Sequence, residues 1–203
     1  MDGVLIDSEL WWPQVEDEFY TALLPKWESA CSPDLMGKGA QDIHTYLCEK
    51  FDCQLTYDEY LQKYHDMANR VYTHVQMMPQ ALETLRFFHD SAIATALASS
   101  ATRQIINTVL ERFRLRQYFD TTVSAEDVRM HAKPAPDIYL YTARLLNVLP
   151  KHCIAIEDSA NGIASAKAAG MYSVAYKTPY NRNQKLDSAD VVITDLQQIL
   201  TLL

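Results

Sequence analysis

With 203 residues, 48% of them hydrophobic, the chain can bury one good core and a smaller satellite unit, and it is far from the composition of a disordered segment. A net charge of −8 and a pI near 5.2 rule out the electrostatic footprint of a nucleic-acid binder, so any anion must be held by a local site. No run reaches the ~20 apolar residues of a membrane span and the start lacks the regions of a signal peptide, so a cytoplasmic protein with no membrane contact is expected.

The chain opens on "MDGVLIDSE", where Asp2-Gly3 and Asp7-Ser8 bracket the apolar triplet Val4-Leu5-Ile6. That pattern makes most sense directly after a buried strand. From about Trp12 to Val75, segments such as "AQDIHTYLCEKF" and "YDEYLQKYHDMANRVYTHV" place apolar residues at steps of three and four, which predicts amphipathic helices. Thr56 followed by Glu59 predicts a capping box at the start of the second segment. At "QMMPQ" the texture changes, and Pro79 suits a first helical turn.

Beyond Pro79, β-prone runs alternate with helical patterns: "AIATALA" with "TRQIINTVLERF", "TTVS" with "PDIYLYTARLLNV", "CIAIE" with "NGIASAKAAG", then "YSVAY", and "DVVIT" with "LQQILTLL". Strand alternating with helix predicts a parallel sheet covered by helices, which binds ligands at the carboxyl ends of its strands. The cysteines, Cys31, Cys48, Cys53 and Cys153, form no CxxC pair and no ligand spacing with histidine. Reduced thiols are expected, and structural zinc is not.

The predicted strand ends carry Asp2, Ser99-Ser100, Lys133 and Glu157-Asp158. Each has an ordinary explanation: Ser99-Ser100 and Glu157-Asp158 could cap the helices that follow, and a lone lysine is commonly just solvated. Together they supply a hydroxyl donor, an ammonium and adjacent carboxylates, the groups that phosphoryl transfer with a divalent ion requires. Carboxylates hold Mg2+, while the lysine and serine offset the charge of a phosphoryl group.

"MDGVLIDSE", "ALASSA", "AKPAPDIYL" and "IEDSANGIASAKAAGM" closely resemble the four ordered motifs of the haloacid dehalogenase superfamily, in the branch of small phosphatases and sugar-phosphate mutases that includes 2-deoxyglucose-6-phosphatase and β-phosphoglucomutase. The resemblance implies an α/β fold: a Rossmann-like parallel-sheet core, here residues 1–10 and 76–203, with an inserted α-helical cap over 11–75. It also implies Mg2+ as cofactor, a small phosphorylated metabolite as substrate and a monomer. Carried over by position, Asp2 is the general acid/base and gives its backbone carbonyl to the metal, Ser99 and the amide of Ser100 bind phosphoryl oxygens, and Lys133 bridges nucleophile and phosphate. Asp158 ligates the metal with Glu157 beside it. Met36-Gly37-Lys38-Gly39 matches the cap loop facing the substrate, which makes Gly37 and Lys38 substrate residues.

One position departs from the family pattern. The family's nucleophile is an aspartate two residues before the acid/base, and here only Met1 precedes Asp2. A truncated enzyme lacking its first strand is therefore expected, with a gap in the middle of the sheet and neighbouring strands left uncovered. Trp12 stands where the mutases carry a histidine, which favours hydrolysis over the mutase alternative; a catalytically dead phosphate-binding protein is the reading from another class. Trp11, Trp12 and Tyr20 are candidates for substrate contact, with core packing the commoner role.

Overall fold

The change of texture at Pro79 is a change of architecture. A computed structural model describes residues 1–35, 38–129, 131 and 133–203. Its first part holds helices α1 (Trp12–Leu23), α2 (Ala40–Phe51) and α3 (Tyr57–His74). The predicted capping box is present: Thr56 Oγ1 accepts from the Glu59 amide at 3.4 Å, and the Glu59 carboxylate accepts from the Thr56 amide at 2.9 Å. The apolar stripes of the three helices close on one core, in which Tyr20, Leu47, Tyr60, Ala68 and Val71 are fully buried. Aromatic rings supply much of it, and the buried hydroxyls of Tyr20 and Tyr60 satisfy each other at 3.0 Å.

After α4 (Ala81–Asp90) the chain alternates: β1 (Ala96–Ser99), α5 (Arg103–Arg112), β2 (Thr121–Ser124), α6 (Asp137–Leu145), β3 (Ile154–Glu157), α7 (Ala160–Ala168), β4 (Tyr172–Tyr176) and β5 (Val191–Ile193). Every pairing is parallel, as the alternation predicts, with β1 beside β2 and β4 between β3 and β5. The predicted last helix, "LQQILTLL", is instead a short 3-10 segment, Leu196–Thr201, started by reciprocal bonds between Asp195 and Gln198. Six residues are too few for the i to i+4 bonding of an α-helix to repay its nucleation.

The strands divide into two sheets, and β1 and β3 have no ladder between them. β4, flanked on both sides, is buried at four of five positions; β1 and β3 alternate buried residues with more exposed ones. Between β1 and β3, Lys133 Nζ donates to the Ala98 carbonyl (3.3 Å) and to Glu157 (2.5 Å). The space is partly filled by the opening loop, since Val4 and Leu5, each 8% exposed, share a core cluster with Leu97 and Val174. The strands beside the gap are thus better covered than the sequence suggests.

The helical part joins the sheet part through two adjacent crossings. Asp7 and Gln76 exchange bonds, with the Asp7 amide donating to the Gln76 carbonyl at 3.0 Å and the Gln76 amide to Asp7 Oδ1 at 2.7 Å, and the Met78 amide donates to the Leu5 carbonyl at 2.9 Å. A further contact ties α3 to α5, where His65 Nε2 and Thr102 Oγ1 lie 2.9 Å apart. No helix among the described residues is long and apolar enough to cross a membrane.

Candidate active site

Residues 1–6 form a tight loop in which the Leu5 amide donates to the Met1 carbonyl (2.8 Å) and the Gly3 amide to that of Ile6 (2.9 Å). Gly3 has φ +66°, and a Cβ there would overlap the Asp158 carboxylate. Both facts demand glycine, and they explain how the loop lies against the end of β3. Asp2 is oriented by two hydroxyls on its Oδ1, from Ser8 (2.6 Å) and from Tyr72 of α3 (2.8 Å).

The ordinary explanations for the strand-end residues fail, because other residues take the capping roles. Thr102 caps α5, its Oγ1 accepting from the Ile105 amide at 3.4 Å, and Ser159 caps α7 by accepting from the Gly162 amide at 3.1 Å. Ser99 and Ser100 sit in the turn before Thr102, with Ser99 4% exposed and its Oγ accepting from the Ala101 amide at 3.2 Å. Gly39 packs against this turn: a Cβ on it would stand 3.2 Å from the Ser100 carbonyl oxygen. That approach places the neighbouring Lys38 on the cavity wall. Gly37 and Met36 lie outside the described residues.

Lys133 and Glu157 form a buried pair at 2.5 Å, their side chains 9% and 7% exposed. Tyr139 also donates its hydroxyl to Glu157 Oε1, and a Cβ on Gly162 would overlap the same carboxylate. Burial raises the Glu157 carboxyl, but Lys133 and the Tyr139 hydroxyl outweigh it and hold the group below the ordinary glutamate range. For Asp158 the Met1 ammonium and Lys133 act in the same lowering direction but do not outweigh what raises it. Burial, then the charge of Glu157, with Asp2 adding to both, pushes its carboxyl well above the ordinary aspartate range. Its backbone carbonyl is fixed by Asn181 Nδ2 at 2.8 Å.

These groups share one cavity of about 840 Å³, to which Asp2, Ser99, Ser100, Lys133, Glu157 and Asp158 all contribute. The structure therefore brings together every described residue expected at the site. The opposite wall comes from the helical part and includes Trp12, Glu16 and Tyr64. Of the three aromatic candidates, Trp12 reaches the cavity, Trp11 stacks on His74 and Tyr20 is wholly buried in the core. Two acids went unnoticed in the sequence. Glu16 is 7% exposed, and burial alone pushes its carboxyl up to about 8; Glu9 reaches about 8 through burial, then the charges of Asp158 and Asp2. Glu16 could have been found from its place on α1, on the stripe of Trp12, Val15, Phe19 and Tyr20 rather than opposite it.

Comparisons with known proteins agree with this geometry. Residues 1–176 match the haloacid dehalogenase-like hydrolases. The phosphorylated carbohydrates phosphatase of Thermotoga maritima is 28% identical over 211 residues, spanning 100% of this chain and 95% of that protein. Hexitol phosphatase B of Escherichia coli is 29% identical over 203 residues, covering 98% and 91% of the two. The crystal structure of CbbY from Rhodobacter sphaeroides in complex with phosphate superposes with a TM-score of 0.81 at 23% identity, over 98% of this chain and 93% of that one, which shows a shared fold: an α/β core with an inserted helical cap. The match over residues 1–176 and the shared fold establish that the chain belongs to the haloacid dehalogenase-like hydrolase family.

Proposed function

We propose that this site hydrolyses a small phosphomonoester, a phosphorylated sugar or polyol, with Mg2+ and through an aspartyl-phosphate. The observation that carries the reading is the convergence of Ser99, Ser100, Lys133, Asp2 and Asp158 on one cavity. The names of the two relatives, phosphatases of phosphorylated carbohydrates and of hexitol phosphates, support the substrate class. The segment 11–75 acts as the cap, and the paired linkers at Asp7 and Gln76 are its hinge.

The donor set suits Mg2+. Asp158 is buried beside other acids, and burial with their charge outweighs the Met1 ammonium and Lys133, the latter paired with Glu157. Hard carboxylate and carbonyl oxygens crowded in this way are what Mg2+ prefers. Asp158 and the backbone carbonyl of Asp2 would hold it; when bound, it supplies positive charge against the phosphoryl oxygens. Glu157, expected beside Asp158 as a metal ligand, serves to hold Lys133 in place.

The residues divide the remaining work. Lys133 and the Ser99-Ser100 turn bind phosphoryl oxygens and offset their charge. Asp2, steered by Ser8 and Tyr72, gives a proton to the leaving oxygen and then takes one from the attacking water. By the family pattern the carboxylate nucleophile stands two positions ahead of Asp2, at the end of a strand. Trp12, stacked on Tyr64, leaves no histidine at the mutase position and favours release of the phosphoryl group to water.

The test is phosphate release from hexitol and hexose phosphates, with Mg2+, by an extended chain carrying an apolar strand that ends in Asp directly before Met1. Turnover that depends on the added Asp and on Asp2 is expected. An extended chain that folds, binds phosphate and releases none from any phosphomonoester would contradict the proposal.

A further inference from the structure

The cap carries a second group of ligating atoms, away from the cavity. His44 and Cys48 lie one turn apart on α2, and Cys53 follows the helix after Asp52, which takes the left-handed conformation (φ 57°). One ligating atom from each of His44, Cys48 and Cys53 falls within 4.8 Å of the other two. None of the three lines the cavity, and all the cysteines are free thiols.

From this convergence we infer that His44, Cys48 and Cys53 form a binding site for a thiophilic transition-metal ion of the Zn2+ class. One approach already has the dimension such an ion needs: Cys48 Sγ and His44 Nε2 are 3.5 Å apart. Zn–S bonds of ~2.3 Å and Zn–N bonds of ~2.05 Å at tetrahedral angles separate sulfur and nitrogen by ~3.6 Å. Soft thiolates beside an imidazole select Zn2+ or Cu+ over Mg2+, so this site and the carboxylate site take different ions.

The frame is local and rigid. All three residues lie within one helix and its C-terminal turn, so little loop entropy is spent in closing the site. The turn is set by the Cys53 amide, which donates to the Leu47 carbonyl at 3.3 Å. The His44 ring is held between Tyr57 and Tyr60, with centroids at 5.7 and 5.2 Å. Its Nε2–H donates to the Leu55 carbonyl at 2.8 Å. On binding, the ion replaces that proton, which moves to Nδ1 so that the imidazole stays neutral. The two thiols release theirs to solvent, giving two protons per ion bound. The Leu55 carbonyl oxygen or a water then completes the tetrahedron. An occupied site pins the end of α2 to the turn that enters α3.

Co2+ is the probe, because thiolate coordination gives a charge-transfer absorption that oxygen ligands do not. Titrating the intact, reduced 203-residue chain should develop this band to saturation at one equivalent. Zn2+ should abolish it and excess Mg2+ should leave it unchanged. Cys48→Ser and Cys53→Ser should lose it, and Cys153→Ser should keep it. A parallel measurement needs no variant: Zn2+ should slow alkylation of Cys48 by about tenfold or more while leaving Cys153 unaffected. Absence of both the band and the protection in the wild-type chain, or a band that survives in both Cys48→Ser and Cys53→Ser, overturns the proposal.

Discussion

The two walls of the cavity handle charge in opposite ways. On the sheet side polar groups are held by partners: Lys133 pairs with Glu157 at 2.5 Å, and Asp2 accepts from the hydroxyls of Ser8 and Tyr72. On the helical side Glu16 is buried beside Trp12 and Tyr64 on the same wall, and burial alone keeps its proton on to about pH 8. A wall of fixed charges suits a developing phosphoryl charge, whereas a wall of rings with a neutral acid suits hydroxyls and carbon. Under the proposed function, the sheet wall would carry the chemistry and the helical wall the choice of substrate.

The largest effect expected from this contrast lies on the sheet wall. In the extended chain, Lys133→Ala should lower kcat/KM by about 10²–10³, a loss that added Mg2+ does not restore. Asp158→Ala should fall similarly at low Mg2+ but recover in part at high Mg2+, because water can replace a lost oxygen ligand. The check is kcat/KM against Mg2+ concentration; identical responses would erase the distinction between the two roles.

Next comes Gly162→Ala, whose methyl would be driven into a carboxylate that Lys133 and Tyr139 hold in place. Displacing Glu157 leaves a buried ammonium without its partner, so a loss of about 2–4 kcal/mol in urea unfolding is expected. Activity of the extended chain should fall with it.

Glu16 tests the other wall through pH. Its folded value near 8 lies above the ordinary 4.5, so the folded chain keeps a proton that the unfolded chain releases across that interval. The stability it contributes is full below about pH 4.5 and is lost as pH rises through 8, by at most about 5 kcal/mol. Glu16→Gln, neutral at every pH, should remove that decline and be the more stable form at pH 8. Equal slopes of urea midpoint against pH for the two proteins would show Glu16 ionised when folded.

The smallest effect is Tyr60→Phe, which leaves the buried Tyr20 hydroxyl without its 3.0 Å partner. A loss of about 1–2 kcal/mol is expected in thermal unfolding. It should leave the sheet wall, and phosphate binding there, unchanged.

The sheet wall was the legible one. Ser99 and Asp158 stand at strand ends that the alternating texture marks, whereas Lys133 reaches the site from the segment before α6, nine residues past the end of β2. That Thr102 and Ser159 would take the capping roles, leaving the strand-end residues to the cavity, required the folded chain. Glu16 reads as solvent-facing by residue type alone, and only its place on the stripe of Trp12, Val15, Phe19 and Tyr20 signals burial. The grouping of His44, Cys48 and Cys53 is not legible in the sequence, because Cys53 joins the pair on α2 only through the left-handed turn at Asp52. The packing of Val4 and Leu5 against Leu97 and Val174 does not show in their sequence.

The most direct test of the account compares phosphate release by the 203-residue chain with release by the same chain preceded by a strand ending in Asp, under saturating Mg2+ and a hexitol phosphate. The account predicts no turnover above background for the first and Mg2+-dependent turnover for the second, abolished when the added Asp is changed to Asn. Robust turnover by the 203-residue chain alone would contradict it by showing that no carboxylate ahead of Asp2 is needed.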